Sequence, residues 1–412
     1  MEFGGRFSIR TFTVKTCEII SLDGNDWQLA TDPKNIGREE KWWNGVQPDA
    51  KQAKVPWVIE DYFPWYDGVV WYWKKLAIPE NVHKDGRTLL RFWAVDFKAD
   101  VWLNGKYLGG HECGETPFTL DATDTVRPGG ENLLAVRVLN PGTTPIDGIE
   151  LTKTPHRCKS EGVYNHGGIV DSVELILAPA VRIADVHVLP EMRTGKLSME
   201  VSVQNSTKKA QSVALAFTAA PAAGGLAIQT LQMETTAALG DSRIRAELMI
   251  DNPRLWELSD PFLYRVTARL TADEYPVSRD EFTVKTGFRE FAFQDGYFRL
   301  NGRRLFLKCA HTGNCCPIGF QIPHDPDLLR RDLLNWKVMG FNMIRFLAGI
   351  PTRYQLDLAD EIGLMMYEES YASWCMRYSP RFEEWFDQSV REMIFRDRNH
   401  PSVTAWGLLN ET

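Results

Sequence analysis

The sequence predicts a multidomain protein in which two β-sandwiches precede part of a parallel α/β barrel. Two observations support this prediction. Before about residue 300, short apolar runs alternate with Gly, Pro, Asn and Asp, which is the spacing of antiparallel sandwiches. After it, the apolar pattern changes to strand, helix, strand, helix. The length of 412 residues, with 44% apolar and 25% charged residues, suits two to four globular domains.

The composition restricts the class of partner. A net charge of -7, without basic runs interleaved with aromatic residues, argues against nucleic acid or an anionic membrane and favours a neutral or polar small molecule. The seven cysteines are odd in number and contain no Cys-x-x-Cys pair, as expected in a reducing compartment. No apolar run is long enough for a signal-peptide core or a bilayer span, so we expect a cytoplasmic protein. We expect no cofactor. The composition leaves open whether the chain forms a homo-oligomer.

The first strand-rich region, residues 1–180, is predicted to form an antiparallel sandwich. Asn104-Gly105 between two apolar runs predicts a two-residue hairpin, because both central positions of a type I′ turn need positive φ. Nine of the fourteen tryptophans lie between Trp27 and Trp102. They could form a sugar-stacking platform, although packing in the core and at sheet edges is the simpler interpretation.

The second strand-rich region, residues 181–287, has the length of one immunoglobulin-like sandwich. No cluster of titratable residues in it suggests chemistry. We therefore expect this domain to act as a spacer between the first sandwich and the barrel.

The third region, residues 288–412, is predicted to form the N-terminal half of a (β/α)8 TIM barrel, because strands and helices alternate and parallel strands need crossover connections. Asp325 as N-cap with Pro326 at the first helical position predicts where one helix begins. Gly340 and Gly363 predict helix ends. The predicted strands are 304–310, 341–346, 364–368 and 403–409, and the predicted helices are 326–339, 351–362 and one that begins near 382.

The carboxyl ends of barrel strands carry the chemistry in this fold. Polar residues at the ends of the four predicted strands are the candidates: His311, Arg345, Glu369, and Asn410 with Glu411. Each has a plainer alternative, as a hydrogen-bonded loop side chain, half of an ion pair, or a polar strand end. Arg345 interrupts an apolar strand, so we expect it to have a buried charge partner.

Two further features of the sequence bear on which side chains face the barrel mouth and on whether the site binds a metal. Glu368 and Glu369 are adjacent, so strand alternation allows only one of them to face the barrel mouth. Cys315-Cys316 near His311 suggests a metal site, but adjacent cysteines seldom suit a tetrahedral ion, and no second Cys/His pair lies at ligand spacing. We therefore expect no metal site.

Four segments resemble glycoside hydrolase family 2, the family of β-galactosidases, β-glucuronidases and β-mannosidases. They are 101–109 with 116–118, 253–256 with 261–264, 286–289 with 300–303, and 399–403 followed by Trp406 and Asn410-Glu411. The resemblance implies a sugar-binding jelly roll in the first region, followed by the immunoglobulin-like domain and the TIM barrel. It also implies retaining, exo-acting hydrolysis of a terminal β-linked sugar, and hence a carbohydrate partner.

The same resemblance implies roles for individual residues. Glu411 would be the general acid/base and Asn410 would hold the 2-hydroxyl of the sugar. Glu411 must donate a proton and later accept one, so its pKa is expected to be raised. Glu369 matches the acid that ends the family's third strand and could hold Glu411 or a cation. The aromatic loop 370–380 with Trp374 is expected to shape a sugar subsite, with plain loop packing as the alternative.

The sequence also departs from the family pattern. Residues 312–316 stand where β-galactosidases carry a His-Glu pair, and 346–351 where they carry Ser-His-Tyr-Pro, so imidazoles are lost from the mouth. A β-mannosidase or uronic-acid hydrolase is therefore an alternative, as is a non-catalytic carbohydrate-binding protein. Residues 296–412 make about half of a barrel of roughly 250 residues. We therefore expect this chain to lack the nucleophile and to be inactive alone.

Overall fold

A computed structural model describes residues 17–83, 85–150, 167–272, 278–312, 325–347, 349–370, 380–408 and 410. Within these ranges, two antiparallel sandwiches precede a parallel sheet covered by helices, which is the predicted fold class. None of the helices in the described ranges is long and apolar enough to cross a membrane.

The first sandwich has two large sheets around one apolar core, with strand orders β1-β12-β5-β9 and β3-β2-β4-β10-β7-β8, while β11 pairs with β6. The predicted hairpin joins β7 and β8, and Asn104 and Gly105 both have positive φ. The strands are β1 (Glu18–Ser21), β2 (Gly24–Asp32), β3 (Lys51–Val55), β4 (Gly68–Ala77), β5 (Arg87–Phe92), β6 (Val95–Asp96), β7 (Lys98–Leu103), β8 (Lys106–His111), β9 (Phe118–Asp121), β10 (Glu131–Asn140), β11 (Gly168–Ile169) and β12 (Val173–Ala178).

The tryptophans of this sandwich mostly serve its packing. Trp27, Trp71 and Trp73 are fully buried. The rings of Trp71 and Trp102 lie 5.2 Å apart, within the range of favourable aromatic contact. The simpler interpretation of the tryptophan cluster therefore holds for these side chains, whereas Trp65 is 71% exposed.

The second sandwich pairs a three-stranded sheet, β13-β14-β17, with a four-stranded sheet, β16-β15-β18-β19. Every second residue of β14 is buried, as expected of a strand with one face on the core. The strands are β13 (Val181–Glu191), β14 (Lys196–Asn205), β15 (Gln211–Pro221), β16 (Gln229–Ala237), β17 (Gly240–Met249), β18 (Tyr264–Ala272) and β19 (Ser278–Thr286).

A small antiparallel sheet leads into the barrel and corrects one prediction. The expected strand 304–310 is two strands: β22 (Arg303–Leu305), in a sheet with β20 (Phe291–Gln294) and β21 (Tyr297–Leu300), and β23 (Cys309–Thr312), the first barrel strand. The Asn342 side chain accepts from the Lys308 backbone N–H at 2.9 Å and donates to the Phe306 carbonyl at 2.9 Å. These bonds from a distant residue satisfy the backbone between the two strands, so the strand need not continue.

The barrel portion has four parallel strands in the order β23-β24-β25-β26. Asp325 caps the first helix as predicted, accepting from Asp327 N and Leu328 N. The second helix begins two residues later than expected, because Thr352 and Gln355 form a capping box. The last strand ends at Gly407 and not at residue 409. The remaining elements are α1 (Pro326–Val338), β24 (Met343–Phe346), α2 (Arg353–Ile362), β25 (Met365–Glu369), α3 (Phe382–Asp397) and β26 (Val403–Gly407).

The parallel register separates the two faces of this sheet. The helix-facing side buries Ile344 and Met366 with Leu356 of α2. The other face carries Arg345, which pairs in register with Tyr367, and therefore also Glu369 two residues further along β25. The inner face of the barrel thus collects the polar residues, and the outer face packs against helices.

Helix α3 packs against the first sandwich. Trp385 is 1% exposed, its ring meets Phe97 edge to face at 5.9 Å, and its indole N–H donates to Glu112 at 2.6 Å. The barrel portion and the first sandwich therefore share buried surface beside the strand ends.

Candidate active site

Arg345, at the end of β24, organises the polar cluster on the inner face of the barrel. Its Nε donates to Glu369 Oε1, and its Nη2 donates to Asn410 Oδ1 at 2.9 Å. The carboxylate of Glu369 is fully buried, whereas the side chain of Arg345 is 31% exposed. The hydrogen bond to Glu369 raises the pKa of Arg345 further above its usual value. Glu369 is thus the charge partner expected for Arg345, and the ion pair fixes the amide of Asn410.

Two residues that sequence reasoning missed complete the cluster. The Arg345 guanidinium lies 5.4 Å from the ring centroid of Tyr367, whose hydroxyl interacts with the Glu369 carboxylate. A Cβ on Gly407 would lie 2.4 Å from the Cγ of Glu369, so only glycine lets β26 approach β25 this closely. Tyr367 could have been found as the residue two before Glu369 on the same face, and Gly407 as a glycine inside a strand pattern.

Of the other predicted site residues, the structure describes only His311. His311 is exposed and lies in register with Arg345 on the neighbouring strand. Glu411 and Trp374 lie outside the described residues, as do Cys315, Cys316 and most of the aromatic loop. Among the described residues, no group of three or more His, Cys, Asp or Glu side chains could hold a metal ion.

Glu368 faces the opposite side of β25 and is also fully buried. No N–H or O–H of the described residues donates to either of its oxygens, but the carboxyl of Asp397 is within hydrogen-bonding reach. Two carboxyl groups can bond only through a shared proton. Burial first, and the nearby Asp397 charge second, raise the pKa of Glu368 well above its usual value. Burial and the facing Asp397 carboxyl thus favour the neutral form of Glu368, while Arg396 pairs with Asp397 through two hydrogen bonds of 2.6 and 2.7 Å.

The segment before β26 is fixed by a second buried carboxylate. Asp360 Oδ2 lies 2.6 Å from His400 Nδ1, and Asp360 Oδ1 accepts from Ser402 N at 2.9 Å. Burial opposes protonation of His400, but the Asp360 charge outweighs it and the pKa of His400 rises to about 9. His400 is therefore cationic at neutral pH and pairs with Asp360 at the base of β26.

The described residues thus form two sandwiches followed by a parallel barrel sheet with a polar cluster at its strand ends. Family models match nearly all of this arrangement: the family 2 sugar-binding domain over residues 57–179, glycosyl hydrolases family 2 over 181–289, and the family 2 TIM barrel domain over 291–412. The chain belongs to glycoside hydrolase family 2.

Characterised relatives and solved structures agree with this assignment. A β-galactosidase of Thermoanaerobacter pseudethanolicus is 28% identical over 84% of this chain and 45% of its own length. A β-glucuronidase of Paenibacillus borealis is 25% identical over 96% of this chain and 68% of its own.

Among the solved structures, a β-glucuronidase of Ruminococcus gnavus superposes with a TM-score of 0.77 at 25% identity, covering 96% of this chain and 67% of that one. A β-glucuronidase of Bacteroides uniformis superposes with a TM-score of 0.81 over 96% of this chain and 47% of its own, and at 23% identity shows the fold alone. The chain spans less than half the length of the β-galactosidase and of the Bacteroides enzyme.

Replacing Glu368 by glutamine is expected to stabilise the protein increasingly as pH rises. The pKa of Glu368 is raised in the folded state, so its stabilising contribution is complete below about pH 4.5 and is lost as pH rises towards the folded-state pKa. Each pH unit of that loss is about 1.4 kcal/mol, and glutamine, which cannot ionise, avoids it. Thermal unfolding of Glu368→Gln should match wild type at pH 4 and exceed it at pH 8.

The matched control is Glu383→Gln, on the exposed start of α3. It should change stability by about 0.5 kcal/mol or less at every pH. A gain for Glu368→Gln that is the same at pH 4 and pH 8 would contradict a raised pKa of Glu368 in the folded protein.

Proposed function

We propose that these residues belong to a retaining exo-β-glycosidase that hydrolyses terminal β-linked sugars, with Glu411 as the general acid/base. The observation that carries this proposal is the Arg345–Glu369–Asn410 cluster at the carboxyl ends of adjacent barrel strands, directly before Glu411 in sequence. The relatives named β-galactosidase and β-glucuronidase give the substrate class, a β-linked carbohydrate.

In the proposed mechanism Asn410 binds the sugar. Its Oδ1 accepts from Arg345, so the amide is turned with its NH2 group away from the guanidinium. That NH2 group would donate to the 2-hydroxyl, and this bond strengthens as the oxocarbenium-like transition state forms. Arg345 thus orients the amide and need not touch the sugar itself.

Glu369 has an electrostatic role in this mechanism. Arg345 binds Asn410, the residue before Glu411 in sequence, and an unpaired guanidinium near an acid/base would favour its ionised carboxylate and lower its pKa. The Glu369 carboxylate neutralises Arg345, so Glu411 can keep the proton that it must give to the leaving oxygen. A second carboxylate roughly 5–5.5 Å from Glu411 is required as nucleophile. We propose that Glu369 is not that group, because it is fully buried and paired with Arg345.

The described residues hold four parallel strands of a fold that has eight. Activity is therefore to be measured in a protein whose barrel is complete. Nitrophenyl β-galactoside, β-glucuronide and β-mannoside are the substrates to compare. The galactoside and the glucuronide are chosen because the relatives are named β-galactosidase and β-glucuronidase. The mannoside is chosen because residues 312–316 and 346–351 lack the histidines that β-galactosidases carry there. We further propose a cytoplasmic location, which the odd number of cysteines and the lack of a Cys-x-x-Cys pair in the sequence support.

Replacing Glu411 by glutamine is expected to act mainly on substrates with poor leaving groups. Such substrates need the proton that Glu411 gives, whereas activated aryl glycosides do not. General acid catalysis contributes about 10²–10⁴-fold, so kcat/KM should fall by that order for alkyl or unsubstituted phenyl β-glycosides. It should fall far less for dinitrophenyl β-glycosides. Equal loss on both substrates would argue against the acid role.

Replacing Glu369 by glutamine should shift the basic limb of the pH profile of kcat/KM to lower pH. Loss of the carboxylate leaves Arg345 unneutralised, and a nearby cation lowers a carboxyl pKa by about 1 unit or more. The control Tyr367→Phe removes a hydroxyl that interacts with the same carboxylate but preserves both charges, so its pH limb should stay in place. If both variants shift the limb equally, charge neutralisation by Glu369 is wrong.

A further inference from the structure

The segment between α3 and β26, which we call the junction loop (residues 398–402), is bound to the edge of the immunoglobulin-like domain. Asn399 Oδ1 accepts from the backbone N–H of Val188, and Asn399 Nδ2 donates to the carbonyl of Val186, both at 2.9 Å. One amide side chain thus occupies a donor and an acceptor on β13, much as a neighbouring strand would. Arg398 adds an ion pair to Asp185 on the same strand.

The edge of β13 is suited to this contact. β13 is the outer strand of the sheet β13-β14-β17, so one side of its backbone has no strand partner in that sheet. Its pairing with β14 is interrupted between Ile183 and Asp185, just before the contact begins. Edge strands in soluble proteins are usually covered, because their backbone groups otherwise pair with other chains. Here Asn399 covers part of the edge.

Other groups fix the junction loop from its remaining sides. Arg289, just beyond the last strand of the domain, donates to the carbonyl of Pro401 at 3.1 Å and to that of Val403 at 2.5 Å. A Cβ on Gly287 would lie only 3.2 Å from Pro401. With Asp360 bound to the other side of the loop, the base of β26 is enclosed. Its position therefore depends on the immunoglobulin-like domain as much as on the barrel.

We propose that the immunoglobulin-like domain positions the acid/base strand, and that Asn399 is the positioning residue through which it does so. β26 (Val403–Gly407) is a short extended segment, so a shift at its base is carried along the strand towards Asn410, the residue that precedes Glu411 in the sequence. A misplacement of about 1 Å is sufficient to reduce catalysis strongly. This inference rests on the proposed function and gives the domain a role beyond that of a spacer.

The chemical specificity of Asn399 provides the test. Aspartate has the same shape and keeps the acceptor for Val188 N–H, but it has no donor for the Val186 carbonyl and places a charge against it. The matched control is Asn205→Asp. Asn205 lies in the same domain, donates to the carbonyls of Lys209 and Ala237 at 2.9 and 3.0 Å, and accepts from Thr207 N at 3.0 Å. Asn205→Asp thus removes two donated hydrogen bonds, at least as large a loss as in Asn399→Asp, but away from the junction loop.

The first measurement is hydrogen exchange of the backbone amides of residues 403–408 in the chain itself, and it does not need activity. Loss of one buried hydrogen bond, at roughly 1–1.5 kcal/mol, corresponds to about tenfold faster exchange. Asn399→Asp should show this increase, and Asn205→Asp should show wild-type exchange there. Unchanged exchange in Asn399→Asp, or an equal increase in both variants, overturns the proposal.

The second measurement is made in the protein with a complete barrel. It is the ratio of kcat/KM for an activated dinitrophenyl substrate to kcat/KM for an unsubstituted phenyl substrate. A displaced acid impairs the poor leaving group selectively, so Asn399→Asp should raise this ratio about tenfold and Asn205→Asp should leave it unchanged. Simple loss of folded protein lowers both activities together, and an unchanged ratio would overturn the positioning role. If wild type cleaves no β-glycoside, the proposed function fails, while hydrogen exchange still decides whether β13 positions β26.

Discussion

Strand β25 ends in two adjacent carboxyl groups that are both fully buried, and this constraint shapes the barrel on either side of it. Strand alternation turns Glu369 inward and Glu368 outward. The inward carboxylate needs a cation, which is Arg345 of the neighbouring strand, and the same guanidinium fixes Asn410. The outward carboxyl meets Asp397 of α3, and burial together with the Asp397 charge raises its pKa. The polar cluster and the packing of α3 are therefore set by one strand.

Local signals were sufficient for much of the fold. The cap at Asp325 and the glycine after α2 have short-range physical causes, so the sequence predicts them well. The predicted strand 304–310 failed because the bonds that divide it come from Asn342, more than thirty residues away. The start of α2 was misplaced because the capping box of Thr352 competes with the helix-starting preference of a nearby proline. Tertiary partners and competing caps are what a single sequence does not reveal.

The residues of the candidate site also divide into those with a local signal in the sequence and those without one. The rule that strand ends carry the chemistry selected Arg345, Glu369 and Asn410, which do lie together. Gly407 was missed because its importance lies in a close approach between strands, and the pairing of β25 with β26 contains a register shift that pattern analysis cannot locate. The spacer role expected for the immunoglobulin-like domain rested on its lack of titratable clusters. Its edge strand contributes backbone groups instead, which no residue pattern displays.

We propose that the strand held in this way leads to Glu411 as the acid/base. Chemical rescue of Glu411→Ala by azide, in a protein with a complete barrel and with an activated aryl β-glycoside, tests it most directly. Without the acid/base, a small anion can attack the glycosyl-enzyme from the face that the leaving group vacated. We expect restored turnover and a glycosyl azide of β configuration, identified by NMR. An α-configured azide, which would identify Glu411 as the nucleophile, or no rescue at all, would contradict it.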